Sequence, residues 1–283
     1  MQGKIRFKPI YAKANYFFQG YFMILTQIIQ STKERVAKCQ KELPLSVLRE
    51  QAENLHKAKP YTRSFENALR VENRLSFICE IKKASPSKGV INETFPYLDI
   101  ARAYEKAGAN AISCLSEPQY FLGSDEIFTQ VREICSIPML RKDFTIDPYM
   151  IYQAKVMGAD ALLLIVSALD SVQLREFYAL AESLGLCVLV ETHTGKEIEQ
   201  ALSIDARIIG VNNRDLHTFS VDVQRSLELR PLVPESKVFV SESGISSVQD
   251  LRKLQEARVD SVLIGEWFMK AQESIAHIHA LRD

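Results

Sequence analysis

The sequence predicts an α/β protein, a closed (β/α)8 TIM barrel with an N-terminal helical extension. Eight short apolar runs, each followed by a polar or small residue, recur about every 26 residues, the length of one strand, one helix and two loops. The runs are continuously apolar, as expected for parallel strands buried on both faces. The segments between them, such as 148–157, 172–184 and 247–257, have helical periodicity.

Each predicted strand leads to a residue that can carry chemistry or shape a turn. In chain order these pairs are 77–81 with Lys82, 111–115 with Glu117, 138–140 with Lys142, 161–166 with Ser167, 186–190 with Glu191, 208–211 with Asn212, 238–240 with Glu242 and Ser243, and 261–264 with Gly265. Barrels of this kind place their active sites at the carboxyl ends of the strands. These residues are therefore expected around one mouth.

Three joints between a helix and the next strand resemble one another: 107–111, 157–161 and 257–261. Gly108 and Gly158 stand just past two of the predicted helices. Glycine adopts the left-handed conformation that ends many helices, so these two residues predict helix stops.

The N-terminal residues differ from the rest of the chain. Residues 1–22 contain basic and aromatic side chains but no acidic one, and no uninterrupted apolar stretch makes them a signal peptide. They are interpreted as an atypical extension, either genuine or upstream of a true start at Met23. Residues 23–283 are predicted to form one barrel domain, in which helices between residues 24 and 70 close the bottom of the barrel or reach over its top.

Composition excludes several classes of function. The chain has 283 residues, 47% of them hydrophobic, and no net charge, which suits one large domain and gives no electrostatic footprint for nucleic acid or an anionic membrane. No apolar stretch is long enough to span a bilayer. Oligomeric state cannot be predicted from these patterns.

The cysteines and histidines do not indicate a metal site. The 5 cysteines lack paired spacing, which favours buried thiols and a reducing, cytoplasmic location over disulfides or a metal. The histidines lack a metal-ligand pattern. Surface or helix-capping roles are expected for His193, His217, His277 and His279.

Charged residues at the strand ends predict an active site. Strand alternation places Glu80 and Lys82 on one side of the first strand, facing the mouth, where Glu80 needs a cationic partner such as Lys82 or Lys142. Lys142 is expected to lie near other cations and apolar walls, which would lower its pKa and make it a proton donor near neutrality. Glu191 is interpreted either as a helix cap or as part of the same site. Asn212 is interpreted either as a turn residue or as part of that site.

Two turns that are rich in small residues predict a phosphate site. Ser243 and Gly244 follow the seventh predicted strand, and Gly265 and Glu266 follow the eighth. Backbone N–H groups in such turns can face a phosphate, and phosphate sites in this fold commonly use these two loops.

A set of motifs resembles the indole-3-glycerol phosphate synthase family. The matching stretches lie in order between residues 24 and 269, each at a strand end: EIKKASPSKG at 80–89, SEPQYFLGS at 116–124, LRKDFTIDPY at 140–149, GADALLLI at 158–165, LVE at 189–191, GVNNRDL at 210–216, VSESGI at 240–245 and VLIGE at 262–266. A set this long is far more specific than a lone glycine signature.

The resemblance implies a phosphorylated substrate, 1-(2-carboxyphenylamino)-1-deoxyribulose 5-phosphate, which closes a pyrrole ring and loses carbon dioxide and water without a cofactor or metal. It implies that Lys142 is the general acid towards the ribulose carbonyl oxygen and that Glu191 assists proton removal and dehydration. Lys82 would bind the anionic substrate and stabilise charge. Glu80 and Asn212 would orient the lysines and the intermediate's hydroxyl group.

The resemblance also implies which residues line the substrate site. They comprise the polar positions Ser85 and Arg214, an apolar wall for the anthranilate ring made of Phe121, Phe144, Leu163 and Leu216, and the phosphate turns with Ser243, Gly244, Gly265 and Glu266. Glu242 and Ile264 are further substrate-binding positions.

Two other functions remain open from the residues alone. A phosphate-binding isomerase or aldolase would use Lys142 as a Schiff-base nucleophile, which borohydride trapping would reveal. A non-catalytic binding protein on the same barrel is the other alternative. Lys82, Lys142 and Glu191 argue against it, because a scaffold gains little from charges at strand ends.

Overall fold

A closed barrel of eight parallel strands forms the centre of the protein. The computed structural model describes residues 12–58, 64–72, 74–215, 220–270 and 278, without the side chains of 12–23 and Lys270. Each strand pairs with the next along the chain, and β8 pairs with β1. The strands are β1 Ser76–Ile81, β2 Ala111–Leu115, β3 Met139–Lys142, β4 Ala161–Ile165, β5 Cys187–Thr192, β6 Ile208–Asn212, β7 Val238–Glu242 and β8 Ser261–Ile264. The predicted (β/α)8 barrel is confirmed.

Helices precede the barrel and alternate with its strands. They are α1 Ala12–Glu42, α2 Leu45–Ala58, α3 Ser64–Leu69, α4 Tyr97–Lys106, α5 Asp125–Ile134, α6 Pro148–Val156, α7 Ser171–Ser183, α8 Gly195–Ser203, α9 Gln224–Leu229, α10 Val248–Glu256 and α11 Glu266–Lys270. Short 3-10 turns follow β4 and α9, and residues 84–85 pair antiparallel with 89–90 after β1. The predicted helices 148–157, 172–184 and 247–257 match α6, α7 and α10 closely.

The strands are buried on both faces, which explains their unbroken apolar sequences. Along β4, Leu162 and Leu164 pack outward among residues of the surrounding helices. Leu163 and Ile165 point into the barrel, where they belong to a separate inner cluster. Because successive side chains of a strand face opposite ways, every second residue of each strand faces the barrel interior.

The N-terminal helices cover both ends of the barrel. Phe65 and Leu69 of α3 are fully buried among inner residues that begin strands, such as Ala111 and Ala161, and so close the bottom. At the opposite end, Ile28 of α1 lines the cavity in the barrel mouth. The expectation that these helices reach one end or the other is therefore met at both ends, by different helices.

The three similar joints share one backbone conformation. Gly108 and Gly158 have φ angles of 85° and 82°, and Arg258 of the third joint has 58°. In each joint the next residue donates its N–H to a carbonyl five residues earlier, as Ala109 does to Tyr104 at 3.0 Å. The predicted glycine helix stops are confirmed, and Arg258 adopts the same left-handed conformation with a side chain attached.

Several sequence predictions concern the chain outside the barrel. The backbone of α1 is helical from Ala12, so this helix crosses the proposed boundary between residues 22 and 23, which stays a prediction. Cys79, Cys114, Cys135 and Cys187 are buried and form no disulfide bond within the described part of the chain. No helix in the described part of the chain is long and apolar enough to cross a membrane.

Candidate active site

A cavity of about 1120 Å3, measured with its open mouth, lies at the carboxyl ends of the strands. That volume accommodates the substrate that the resemblance implies. Every described residue that the resemblance implies for the site lines it: Glu80, Lys82, Ser85, Phe121, Lys142, Phe144, Leu163, Glu191, Asn212, Arg214, Glu242, Ser243, Gly244, Ile264, Gly265 and Glu266. Of the strand-end residues, Glu117 and Ser167 do not line it. Leu216 lies outside the described residues.

Other lining residues escaped the sequence reasoning. Leu115, Ile165 and Leu263 are inward-facing residues near strand ends, which strict alternation along each strand would have indicated. Ile24 and Ile28 come from α1. Their apolar spacing marks a helix but does not say where that helix docks, so no local signal placed them in the site.

Lys142, at the end of β3, lies between two carboxylates. Its Nζ donates to Oε2 of Glu191 on β5 at 3.0 Å and to Oε2 of Glu242 on β7 at 2.5 Å. The exposed fractions of the three side chains are 12%, 7% and 1%, so all three charges are largely withdrawn from water. The barrel thus joins three strand ends in one buried ion network.

The pKa of Lys142 is raised, which contradicts the sequence-based expectation. Burial is the largest single effect and lowers the pKa, but the carboxylates of Glu191, Glu242 and Glu80 together outweigh it. The sequence argument assumed neighbouring cations, whereas the structure supplies neighbouring anions. Lys142 is therefore a charged ammonium at neutral pH.

The pKa values of the two carboxylates that contact Lys142 are shifted in opposite directions. Burial raises the pKa of Glu191, but Lys142, His193 and Asn212 together outweigh burial and hold the pKa below its ordinary value. Burial also raises the pKa of Glu242, and the charges of Glu191 and Glu80 add to it, so the pKa reaches about 7. Such a pair provides one ionised base and one carboxyl that can hold a proton near neutrality.

Glu80 and Lys82 form the second ion pair of the site, as their alternation on β1 predicted. Lys82 Nζ donates to Oε1 of Glu80, and both side chains line the cavity. A Cβ at Gly265 would lie 2.6 Å from that same oxygen, so the glycine after β8 makes room for the carboxylate. The second lysine is thereby held at the mouth beside the first network.

Asn212 orients Glu191. Its Nδ2 donates to Oε1 of Glu191 at 3.1 Å, while its Oδ1 accepts the backbone N–H of Arg214 at 3.0 Å. The second bond fixes which end of the amide faces the carboxylate. Glu191 therefore receives an ammonium on one oxygen and an amide on the other.

An aromatic pair forms the apolar wall of the cavity. The ring centroids of Phe121 and Phe144 lie 6.0 Å apart with the rings tilted by 40°. Glu117 supports this wall, because its buried carboxylate accepts the backbone N–H groups of residues 119, 120 and 121 at 3.0, 2.7 and 3.0 Å. The turn that carries Phe121 is thus bound to the end of β2.

The turn after β7 lies at another part of the cavity wall. Ser243 and Gly244 have φ angles of 67° and 79°, two successive left-handed residues. A Cβ at Gly244 would lie 2.2 Å from Cγ1 of Val221, so glycine is required there by both conformation and space. This turn and Gly265 after β8 line the cavity together, which brings the two predicted phosphate loops into one site.

Comparison with known proteins agrees with this arrangement. The sequence profile described as "Indole-3-glycerol phosphate synthase" matches residues 25–281. The chain belongs to the indole-3-glycerol phosphate synthase family. Relatives bearing that name include those of Ruminiclostridium cellulolyticum, 50% identical over 92% of this chain and 99% of the relative, and of Endomicrobium trichonymphae, 48% identical over 92% and 100%. That of Lachnoclostridium phytofermentans is 44% identical over 92% and 99%.

In this member of the synthase family, an ion pair anchors α1 to the barrel at Asp143, next to Lys142. Arg35 of α1 donates to Oδ1 of the buried Asp143 at 2.7 Å, and Ser116 donates to its other oxygen at 2.7 Å. Burial raises the pKa of Asp143, but Arg35 and Arg141 outweigh it and hold the pKa below its usual range. The helix that supplies Ile24 and Ile28 to the cavity is therefore anchored by an ion pair next to the central lysine.

The expectation of a surface position for His193 in this synthase family member is wrong. The residue follows β5, and only 2% of its side chain is exposed. Its Nε2 lies 3.6 Å from Oε1 of Glu191 and its Nδ1 lies 3.5 Å from Oε2 of Glu197. A single histidine carries no periodic signal in the sequence, so its burial behind the carboxylate could not be foreseen. His217, His277 and His279 lie outside the described residues.

Proposed function

We propose that this chain converts 1-(2-carboxyphenylamino)-1-deoxyribulose 5-phosphate to indole-3-glycerol phosphate, a step of tryptophan biosynthesis. The observation that carries the proposal is Lys142 held between an ionised and a protonatable carboxylate at the mouth of a barrel with a matching family sequence. The reaction closes a ring onto the ribulose carbonyl, releases carbon dioxide and then eliminates water. The enzyme is accordingly a decarboxylating carbon–carbon lyase.

Lys142 protonates the carbonyl oxygen as the ring carbon attacks it. A lysine with a raised pKa still serves as an acid here, because an alkoxide forming at the attacked carbonyl is more basic than an amine. Positioned proton donors of this kind contribute about a hundred- to ten-thousandfold in rate. The carboxylates around Lys142 keep it protonated and aimed into the cavity.

Glu191 removes the proton that must leave before the pyrrole ring is aromatic. Its lowered pKa keeps it ionised at neutral pH, as a general base requires. Asn212 fixes its orientation and can also reach the hydroxyl group that departs as water. Glu242, with a pKa near 7, holds Lys142 in place and contributes a second titrating carboxyl to the cluster.

Substrate binding divides along the cavity. Lys82, paired with Glu80, attracts the substrate carboxylate, and the wall of Phe121, Phe144 and Leu163 takes the anthranilate ring. The turns at 243–244 and 265–266 receive the phosphate group through backbone N–H groups. Ser85, Arg214 and Ile264 complete the lining.

The chemistry requires proton transfers and positioning, because the loss of carbon dioxide restores the aromatic ring. The proposal therefore includes no cofactor, nucleotide or metal. Burial of four cysteines without a disulfide bond in the described part of the chain supports a reducing, cytoplasmic location as part of the same proposal.

A fluorescence assay tests this function. Purified protein is mixed with the carboxyphenylamino-deoxyribulose phosphate in buffer containing a chelator, and indole emission is followed. Emission that rises with enzyme concentration supports the proposal, including its independence of metal. A folded protein, verified by circular dichroism, that forms no product contradicts it. Borohydride trapping of a covalent adduct at Lys142 would then favour the Schiff-base alternative.

A further inference from the structure

Ile28 of α1 is an apolar residue that lines the cavity from outside the barrel. Only 3% of the residue is exposed, and it borders the cavity together with Ile24, one helical turn earlier. The other apolar residues of the lining belong to strands of the barrel or to the loops that follow them. The cavity therefore has two apolar surfaces, one built into the barrel and one supplied by α1.

A single carboxylate oxygen joins α1 to the aromatic wall. Oδ1 of Asp143 accepts a hydrogen bond from the side chain of Arg35 at 2.7 Å and another from the backbone N–H of Phe144 at 2.8 Å. Arg35 also donates to the carbonyl oxygen of Ser116, which follows β2, at 3.3 Å. The loops after β2 and β3 carry Phe121 and Phe144, so α1 is attached to the barrel on the side of the mouth where this wall stands.

Helix geometry relates Ile28 to this anchor. Ile28 lies seven residues before Arg35, which corresponds to two turns, or about 10 Å, along the same face of the helix. Thr32, between them on that face, is also buried. Because the ion pair with Asp143 determines where α1 lies, it also determines how far Ile28 stands from the aromatic wall.

Polarity decides which part of the substrate faces Ile28. The proposed substrate carries a carboxylate, a phosphate group and hydroxyl groups, and the anthranilate ring is its only large apolar part. A branched aliphatic side chain gains free energy from contact with the ring, whereas it would remove water from the polar groups without replacing their hydrogen bonds. The ring that binds against Phe121 and Phe144 is therefore the part that Ile28 meets.

Resting on the proposed function, we propose that Ile28, together with Ile24, is a specificity-determining residue that limits which substituents the anthranilate ring can carry. Its side chain occupies space into which a group on the edge of the ring would project. One methylene group in a hydrophobic pocket changes the discrimination between substrates about 10- to 200-fold. Shortening the side chain of Ile28 should therefore admit substituted rings that the unaltered protein disfavours.

A role in packing alone is the competing explanation, because Ile28 is as buried as many core residues. In that case a shorter side chain would weaken folding and would lower activity towards all ring variants alike. Ile29 provides the matched control. It has the same side chain, lies next to Ile28 on α1, is partly buried and does not line the cavity.

The test compares the unsubstituted substrate with the four isomers that carry one methyl group on the ring. The value of kcat/KM is measured for the unaltered protein, Ile28→Ala, Ile28→Val and the control Ile29→Ala, and circular dichroism verifies folding. We expect the unaltered protein to disfavour at least one isomer by about tenfold or more. For that isomer, kcat/KM relative to the unsubstituted substrate should rise at least about tenfold in Ile28→Ala, less in Ile28→Val, and less than about twofold in Ile29→Ala.

Binding measurements separate this inference from the proposed function. In the same series of ligands the ribulose carbonyl is reduced to a hydroxyl group, so that the ring cannot close, and titration calorimetry gives the Kd of each. The ratios of these Kd values should follow the pattern expected for kcat/KM. A folded protein that forms no product but shows this pattern contradicts the proposed function and supports the role of Ile28. A folded protein that binds none of these ligands contradicts both.

Three results overturn the role of Ile28. The unaltered protein accepts all four isomers as well as the unsubstituted substrate, or the folded Ile28 variants keep the ratios of the unaltered protein, or Ile29→Ala changes the ratios as much as Ile28→Ala does. If Ile28→Ala does not fold, Ile28→Val decides, because it removes only one methyl group from the helix.

Discussion

Gly210 and Glu242 share the space of one side chain. A Cβ at Gly210 on β6 would lie 2.1 Å from Oε1 of Glu242 on the neighbouring β7. The missing side chain is what lets Glu242 turn inward and reach Lys142. Gly265 does the same for Glu80 at 2.6 Å. Two glycines that a sequence reader assigns to turns or strands thus make room for two carboxylates.

Gly210→Ala is expected to lower kcat by at least about tenfold, because Glu242 must leave its position beside Lys142. Overpacking of this kind also costs about 1–3 kcal/mol in the free energy of unfolding. Steady-state kinetics and thermal unfolding measure both. Gly195→Ala is the control, since its Cβ would meet only the flexible, half-exposed side chain of Leu232 at 3.1 Å. Equal activity of the two variants would contradict the argument.

Replacing Lys142 by alanine or by arginine is expected to reduce kcat by about a hundred- to ten-thousandfold. Arginine keeps a positive charge between Glu191 and Glu242, so the fold should survive, but a guanidinium does not give up a proton at neutral pH. Single-turnover assays and circular dichroism of both variants check this, with the exposed Lys253→Arg as control. Near-normal turnover by either variant would show that Lys142 is not the general acid.

The pKa of Glu242 predicts a pH dependence of stability. Burial raises the pKa to about 7 from the ordinary 4.5 of the unfolded chain. Between these values the folded protein binds the extra proton, so the contribution of Glu242 to stability is complete below about pH 4.5 and is lost as the pH rises through about 7. Glu242→Gln should abolish this loss. Thermal unfolding from about pH 5 to about pH 8 measures it, and parallel curves for the two proteins would refute the prediction.

Glu117→Gln is expected to act on substrate binding more than on turnover. The backbone N–H groups of residues 119–121 donate to both carboxylate oxygens of Glu117. The NH2 group of glutamine would replace one of these acceptors by a donor. At least one buried group would then lack a hydrogen bond, at a cost of about 1–3 kcal/mol. The wall residue Phe121 should shift, so KM should rise while kcat changes less. The exposed Glu133→Gln serves as control. An unchanged KM would show that the turn holds Phe121 without Glu117.

Arg35→Met is expected to loosen α1 from the barrel. The variant loses the charged hydrogen bond to Asp143 and with it about 1.5–3 kcal/mol. KM should rise, because Ile24 and Ile28 of α1 belong to the cavity wall. Arg49→Met, which breaks an exposed pair with Glu53, is the matched control and should change neither stability nor KM. If both variants behave alike, the pair beside Lys142 does not anchor the helix.

The strands and the residues at their ends were predictable because they depend on local sequence. A parallel strand buried on both faces must be apolar throughout, and the polar residue that follows it must lie at the mouth. That Glu80 and Lys82 share a face was predictable for the same reason, since alternate residues of an extended chain point the same way, but the sequence left open whether Lys82 or Lys142 would pair with Glu80.

The electrostatics of the site were not predictable from local sequence. The two carboxylates that accept hydrogen bonds from Lys142 stand 49 and 100 residues later in the chain, and only the closed barrel places them beside it. His193 illustrates the same limit, because its burial depends on how α8 packs after β5. Which side chains at the strand ends become neighbours is determined by the folded barrel and not by any sequence motif.

The charges around the two lysines also determine how the site attracts its ligand from solution. Lys82 and Lys142 face Glu80, Glu191 and Glu242, so the five groups sum to no net charge when Glu242 is protonated. Closely paired opposite charges give a strong field within the cavity and a weak one beyond it. These five groups therefore add little to any long-range attraction of a multiply charged anion, and their charges act on a ligand mainly after it has entered the barrel mouth.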